Sequence, residues 1–146
     1  MGVNASDIVE RQVAAGGGAK TAVVAEDATL TYDELRRQIN RAGGALRELG
    51  VRREQRVLLV LDDTAAFPIV FLGAMRIGAV PVPVSPRDKD DNFRHFVEDS
   101  YAELGVADAP LLERLAGVLG GHDVRWLVAA TKRLSPPAPA RKPAPA

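Results

Sequence analysis

The sequence predicts an α/β protein in which strands and helices alternate, giving a mostly parallel sheet with helices on both faces. Three observations carry this. Val57 to Leu61 is an unbroken aliphatic run, the pattern of a strand buried on both faces of a parallel sheet. Leu35, Ile39, Ala42, Leu46 and Leu49 recur at steps of four and three, the apolar stripe of a helix. Short aliphatic runs and longer helical patterns then take turns along the chain, which calls for crossover units and parallel pairing.

Taken in order, a first helix is expected from Asp7 to Ala15, capped by Ser6 and ended by Gly16-Gly17-Gly18. A strand over Thr21 to Ala25 follows, with a turn at Asp27. Thr31 and Glu34 have the spacing of a capping box, each side chain serving the other's free backbone N–H, so the striped helix opens there. Arg36, Arg37, Arg41 and Arg47 lie off its stripe and face outward, and Gly50 stands where a left-handed terminal residue belongs. Asp62-Asp63-Thr64 is read as the cap of a helix from Ala65 to Ile77. Pro68 must then sit in its first turn. That helix is apolar nearly all round and is expected to be largely buried. Ala79 to Val84, with Pro81 and Pro83, suits an edge strand or an irregular extended path. A helix opening at Asp88 to Asp91, a strand near Ala102 to Ala107, a helix from Leu111 to Leu119 and a strand over Val124 to Ala129 complete the body.

Composition sets bounds on function. The 146 residues are 47 % apolar and 26 % charged, enough for one globular domain over residues 1–131. Formal net charge is zero, which argues against a nucleic-acid partner. Residues 132–146 form a basic, Pro/Ala-rich tail, expected to be disordered and extended, with Lys132, Arg133, Arg141 and Lys142. There are no cysteines, which removes disulfides and thiolate chemistry. The longest apolar stretch, Ala65 to Met75, falls short of the ~20 residues a bilayer span needs. Met1 to Glu10 lacks the apolar centre of a signal peptide. A soluble, cytoplasmic protein without a membrane partner is expected.

Motifs that look chemical are few. Gly16-Gly17-Gly18-Ala19-Lys20-Thr21 departs from a phosphate loop at Ala14 and Ala19, where glycine is required, and it precedes a strand. A helix end is the better reading. His95 and His122 are the only histidines, without partners at metal spacing, and are read as surface or turn residues. Asp62-Asp63 and Asp90-Asp91 sit at helix starts, where negative charge complements the dipole. Asp62 also ends a buried strand, where ligand crevices open in parallel sheets.

Two stretches resemble the adenylate-forming (AMP-binding) superfamily of acyl-CoA synthetases, adenylation domains and luciferases. Leu30-Thr31-Tyr32-Asp33-Glu34-Leu35 resembles its first signature. Phe71 to Val84, an apolar helix running into Gly78-Ala79 and a Pro-rich strand, resembles its second. Gly50 to Leu59 and Asp63 to Pro68 bring the likeness nearest to benzoate-CoA ligases. It covers roughly residues 4 to 130.

The resemblance implies the N-terminal subdomain of an ATP-dependent acyl/aryl-CoA ligase, with ATP, Mg and CoA as cofactors of the complete enzyme. The family's Ser/Thr/Gly-rich phosphate loop ending in Pro-Lys-Gly is absent from this sequence, as is its Tyr-Gly-x-Thr-Glu segment. The same holds for its ribose-binding Asp and the lysine of its C-terminal domain. No catalytic residue is therefore assigned, and the chain alone is expected to be inactive and to bind no cofactor by itself. One position transfers. Val84-Ser85-Pro86-Arg87 resembles the segment in which some CoA ligases place an arginine near the CoA nucleotide phosphate, so Arg87 is a candidate phosphate contact. The other reading is an exposed arginine beside a helix start. The expected partners are the remaining ligase lobes, or a second copy through an exposed apolar face. Alternatives are a non-catalytic scaffold that keeps the subdomain fold, the relic of a frameshifted ligase gene, and an unrelated small ligand-binding domain.

Overall fold

The computed structural model describes residues 3–129, so the tail assigned to residues 132–146 lies outside the described residues. Helix α1 (Asp7–Gln12) runs into a wider turn over Val13–Gly17, where Gly16 takes φ +85°. Ser6 does not cap α1 with its side chain. Asn4 takes that place, its Oδ1 accepting from the Ser6 N–H at 2.9 Å. The buried Ser6 hydroxyl instead accepts from Arg76 Nε at 2.9 Å.

Strands β1 (Thr21–Val24) and β2 (Thr29–Thr31) pair antiparallel. This hairpin departs from the strict alternation expected, because three residues are too few to show a strand period. Helix α2 (Tyr32–Glu48) opens with the predicted capping box. Glu34 N–H donates to Thr31 Oγ1 at 3.2 Å, and Thr31 N–H donates to Glu34 Oε2 at 2.8 Å. It ends before Gly50, at φ +92°.

β3 (Arg56–Val60) leads through Asp62-Asp63-Thr64 into α3 (Ala66–Arg76). The two aspartates do not cap α3. The Thr64 N–H donates to the Asp62 carbonyl at 2.7 Å, a tight turn that turns both carboxylates outward. The cap is non-local: Asp27 Oδ1 accepts from the Ala65 N–H at 3.0 Å. Pro68 is the third residue of α3, as predicted. β4 (Val80–Pro83), α4 (Asp90–Ser100), β5 (Leu104–Ala107), α5 (Leu112–Val118) and β6 (Arg125–Val128) follow, a 3₁₀ turn over Ala109–Leu111 leading into α5.

The four later strands form one parallel sheet in the order β4-β3-β5-β6. β4 is an edge, one of the two arrangements that its prolines allow. Val80 and Val84 donate to the Gln55 and Leu59 carbonyls at 2.8 and 2.9 Å. By alternation, the nitrogens of Pro81 and Pro83 face away from β3, where no donor is needed.

β3 divides the core. Val57 and Leu59 pack with Leu46 of α2 and Ala74 of α3 on one side, and Leu58 and Val60 with Phe93, Val97 and Leu115 of α4 and α5 on the other. Helices thus cover both faces, and each such aliphatic side chain contributes about 1.5–3 kcal/mol by burial. Val9, Leu30, Leu35, Ile39 and Ile69 form a third cluster joining α1 and the hairpin to α2 and α3. α2 and α3 meet at Gly43 and Gly73: a Cβ at Gly73 would stand 2.8 Å from Ala42 Cβ and 3.1 Å from the Ile39 carbonyl oxygen. The outer side of α3 is half-buried, and Phe67 and Phe71 stack there with ring centroids 5.8 Å apart.

Candidate functional site: the crevice at the carboxyl ends of the strands

Parallel strands all point their carboxyl ends to one rim, where ligands bind in open α/β sheets. Here that rim is a cleft of about 240 Å³ between the segments leaving β3 and β4. Leu61, Asp62, Asp63 and Phe67 form one wall and Pro83 to Arg87 the other. Two larger clefts, of about 300 and 580 Å³, open at the amino ends of the strands on either side of Arg53 and Glu54. Strand polarity selects the smaller one as the ligand crevice.

Asp62 is anchored through its backbone, its N–H donating to Asp108 Oδ2 at 2.7 Å, which ties the ends of β3 and β5 together. Its carboxylate faces the crevice and lies 3.7 Å from Arg87 Nη2. Arg87 is 83 % exposed and Asp62 53 %. At that exposure the pair is weakly coupled, so an incoming anion has little to displace. The Arg87 N–H donates to Ser85 Oγ at 3.2 Å, and the Asp88 N–H to the Ser85 carbonyl at 3.1 Å, which sets the turn that presents Arg87.

Arg114, which no local pattern in the sequence singles out, holds this turn from behind. Its guanidinium donates to the carbonyls of Pro86 at 3.0 Å and Asp88 at 2.5 Å, and to Asp90 Oδ1 at 2.9 Å, while lying 4.9 Å from the Phe93 ring centroid. Arg76 is a second hub missed in the sequence. Besides Ser6 it binds Glu10 Oε1 at 2.8 Å and Asn40 Oδ1 at 3.1 Å, fixing α1 to α2 and α3.

The other candidates fall outside the crevice. The glycine run ends α1: the Gly18 carbonyl accepts from the Asp33 N–H at 2.9 Å, and a Cβ there would collide with the Asp33 carboxylate. His95 and His122 do have carboxylate partners, contrary to the sequence reading. His95 Nε2 lies 3.1 Å from Asp99 one turn along α4, and His122 Nε2 lies 3.2 Å from Glu98. One carboxylate each makes no metal site, and among the described residues no cluster of three or more such ligands occurs. Asp90 and Asp91 pair with Arg114 and Arg94. Among the described residues no helix is long and apolar enough to cross a membrane. The crevice offers one guanidinium beside two exposed carboxylates, with no paired acid and base; Arg87 is its one cationic group, and Asp62 and Asp63 oppose an anion there.

The same fold recurs in known proteins. The family described as AMP-binding enzyme matches residues 9–144. The chain is 42 % identical over 118 residues to a 4-hydroxybenzoate–CoA/benzoate–CoA ligase of Rhodopseudomonas palustris, covering 79 % of this chain and 22 % of that protein. It is 37 % identical over 117 residues to a benzoate–CoA ligase of Thauera aromatica, covering 80 % of this chain and 22 % of that one. A crystal structure of a benzoate CoA ligase from Burkholderia xenovorans LB400 superposes with a TM-score of 0.81 at 29 % identity, covering 90 % of this chain and 28 % of that chain. The chain therefore spans about a fifth of the length of the curated relatives it matches. With the capping-box signature, the glycine-ended apolar helix and the Pro-edged strand all in place, and the family match running through them, the chain belongs to the AMP-binding enzyme family.

Proposed function

We propose that this chain serves as the N-terminal lobe of an ATP-dependent aryl-CoA ligase of the benzoate type, and that by itself it does not adenylate a carboxylic acid. The observation that carries the reading is the 42 % identity to a benzoate-activating ligase across a segment that is 22 % of that enzyme. The described residues do not fit a magnesium–triphosphate group. No glycine-rich loop lies between a strand and the helix after it, and no carboxylate cluster is placed to hold the metal. Stabilising the charge of adenylyl transfer takes several preorganised donors aimed at one place, and the crevice offers a single guanidinium, already beside the Asp62 carboxylate. What these residues support is narrower: Arg87, presented by the Ser85 turn and braced by Arg114, as an edge contact to a CoA phosphate. Magnesium–ATP, when bound by the complete enzyme, supplies the phosphoanhydride that activates the acid.

The partners in this reading are the remaining ligase lobes, docking on the half-buried apolar side of α3 around Phe67 and Phe71, or else a second copy on that face. A cytoplasmic setting belongs to the same proposal and suits a chain without cysteine. Calorimetric titration of the chain with ATP–Mg, benzoate and CoA tests the first half. No heat with ATP–Mg or benzoate is expected, and any CoA binding is lost in Arg87→Ala. Replacing the matching segment of the Rhodopseudomonas palustris ligase with residues 9–129 of this chain tests the second half. A chimera that forms benzoyl-CoA, beside an isolated chain that does not, is expected. Release of pyrophosphate by the isolated chain overturns the proposal, and a well-folded but inactive chimera points to a scaffold.

A further inference from the structure

Among the described residues, β6 is paired on one side only, with β5. The Arg125 and Ala129 N–H groups donate to the Glu103 and Ala107 carbonyls, each at 3.0 Å. Successive peptide groups of a strand point to alternate sides, so the N–H and C=O of Trp126 and Val128 face outward. Edge strands are commonly guarded against pairing by proline, lysine or a bulge. Arg125–Val128 holds neither proline nor lysine, and its register with β5 runs without a shift. Its one charged side chain, Arg125, is held at the end of α2 by the Leu49 carbonyl, at 2.7 Å.

We infer that β6 pairs antiparallel with β6 of a second copy across a two-fold axis. Residues directly opposite each other in such a pair point to the same side of the sheet. Where they exchange hydrogen bonds, both also turn their backbone groups inward to the pair. Trp126 packs on the α4–α5 side and Leu127 on the α2–α3 side. An axis at Leu127 sets Trp126 against Val128 of the partner subunit, which matches it in side and in outward backbone alike. An aromatic beside a β-branched side chain is a favourable cross-strand pair. The same register sets Arg125 against Ala129 of the partner subunit, so like charges do not meet. A slip of one residue would instead oppose side chains from different sides of the sheet. The whole chain has a formal charge of zero, so no net repulsion opposes the approach of a second copy. The contact uses each β6 once and leaves β4 at both outer edges, so association stops at two chains.

Sedimentation velocity of the full chain over a concentration series tests this. The mass should rise from the 15.6 kDa of one chain to twice that value and no further. Val128→Pro removes an outward N–H and no bond to β5, and should abolish the dimer. Val128→Thr keeps both the N–H and the branched side chain, and should retain it. Far-UV circular dichroism confirms that the variants fold. In the unaltered chain, hydrogen exchange at the Trp126 and Val128 amides should slow as the dimer forms, a readout that needs no variant. A monomer at every concentration overturns the inference, whether those amides are open or shielded by the chain's own following residues. So does a dimer that survives Val128→Pro, or one that leaves exchange at Trp126 and Val128 unchanged, since its contact lies elsewhere.

Discussion

Arg76 shows how much one side chain can organise. It lies in the last turn of α3, yet its five-donor fork reaches Ser6, Glu10 and Asn40, and the Ser6 hydroxyl it serves is fully buried. Arg76→Ala should destabilise the chain by about 2–3 kcal/mol, because charged hydrogen bonds are lost and a buried hydroxyl is left unpaired. Arg76→Lys should recover only part, since an ammonium cannot reproduce the fork. Urea midpoints at unchanged m-value check both. Neither Arg76 nor Arg114 is legible in the sequence, because their partners lie 24 to 70 positions away. Arg87 is legible only through resemblance; its presentation by Ser85 and Arg114 needs the fold.

Among the elements, helix ends separate what local pattern can reveal from what it cannot. The Thr31–Glu34 box closes within one helical turn, so sequence spacing alone reveals it. The Asp62-Asp63-Thr64 pattern is locally just as convincing and misleads, because Asp27, from the turn between β1 and β2, supplies the acceptor instead. Thr31→Ala should lower stability by about 1 kcal/mol in thermal or urea unfolding. The adjacent glycines of α2 should respond in opposite directions. At Gly43 a Cβ would stand 2.9 Å from the Gly73 carbonyl oxygen, so Gly43→Ala should cost about 1–3 kcal/mol by forcing α2 and α3 apart. At Gly44 nothing lies within 4 Å, so Gly44→Ala should stabilise by about 0.5–1 kcal/mol by lowering the entropy of the unfolded chain.

For the whole molecule, the parallel sheet and its order of elements are legible because buried parallel strands leave unbroken aliphatic runs. The β1–β2 hairpin is not, because β2 is too short to show a period. The three hydrophobic clusters are not separable units. α2 and α3 supply side chains to the cluster on their side of the sheet and to the one around Val9 and Leu30, and β3 joins the clusters on the two sides of the sheet through its alternating residues. Unfolding should therefore be a single cooperative event. Trp126, the only tryptophan, packs over Gly105 at the far side of the sheet from α1. Its fluorescence should change at the same urea concentration as far-UV circular dichroism, which reports mainly the helices. Separate midpoints would show that α1, the hairpin and α2 melt on their own.

The two prolines of β4 have a consequence for growth. With Pro81 and Pro83 turned outward, that side of the sheet offers no N–H at two of its four positions and refuses a newcomer. On the opposite side β6 carries no proline, and Val128 is 49 % exposed. Among the described residues the sheet thus has one bank that its own prolines close to backbone pairing and one, at β6, that no proline closes.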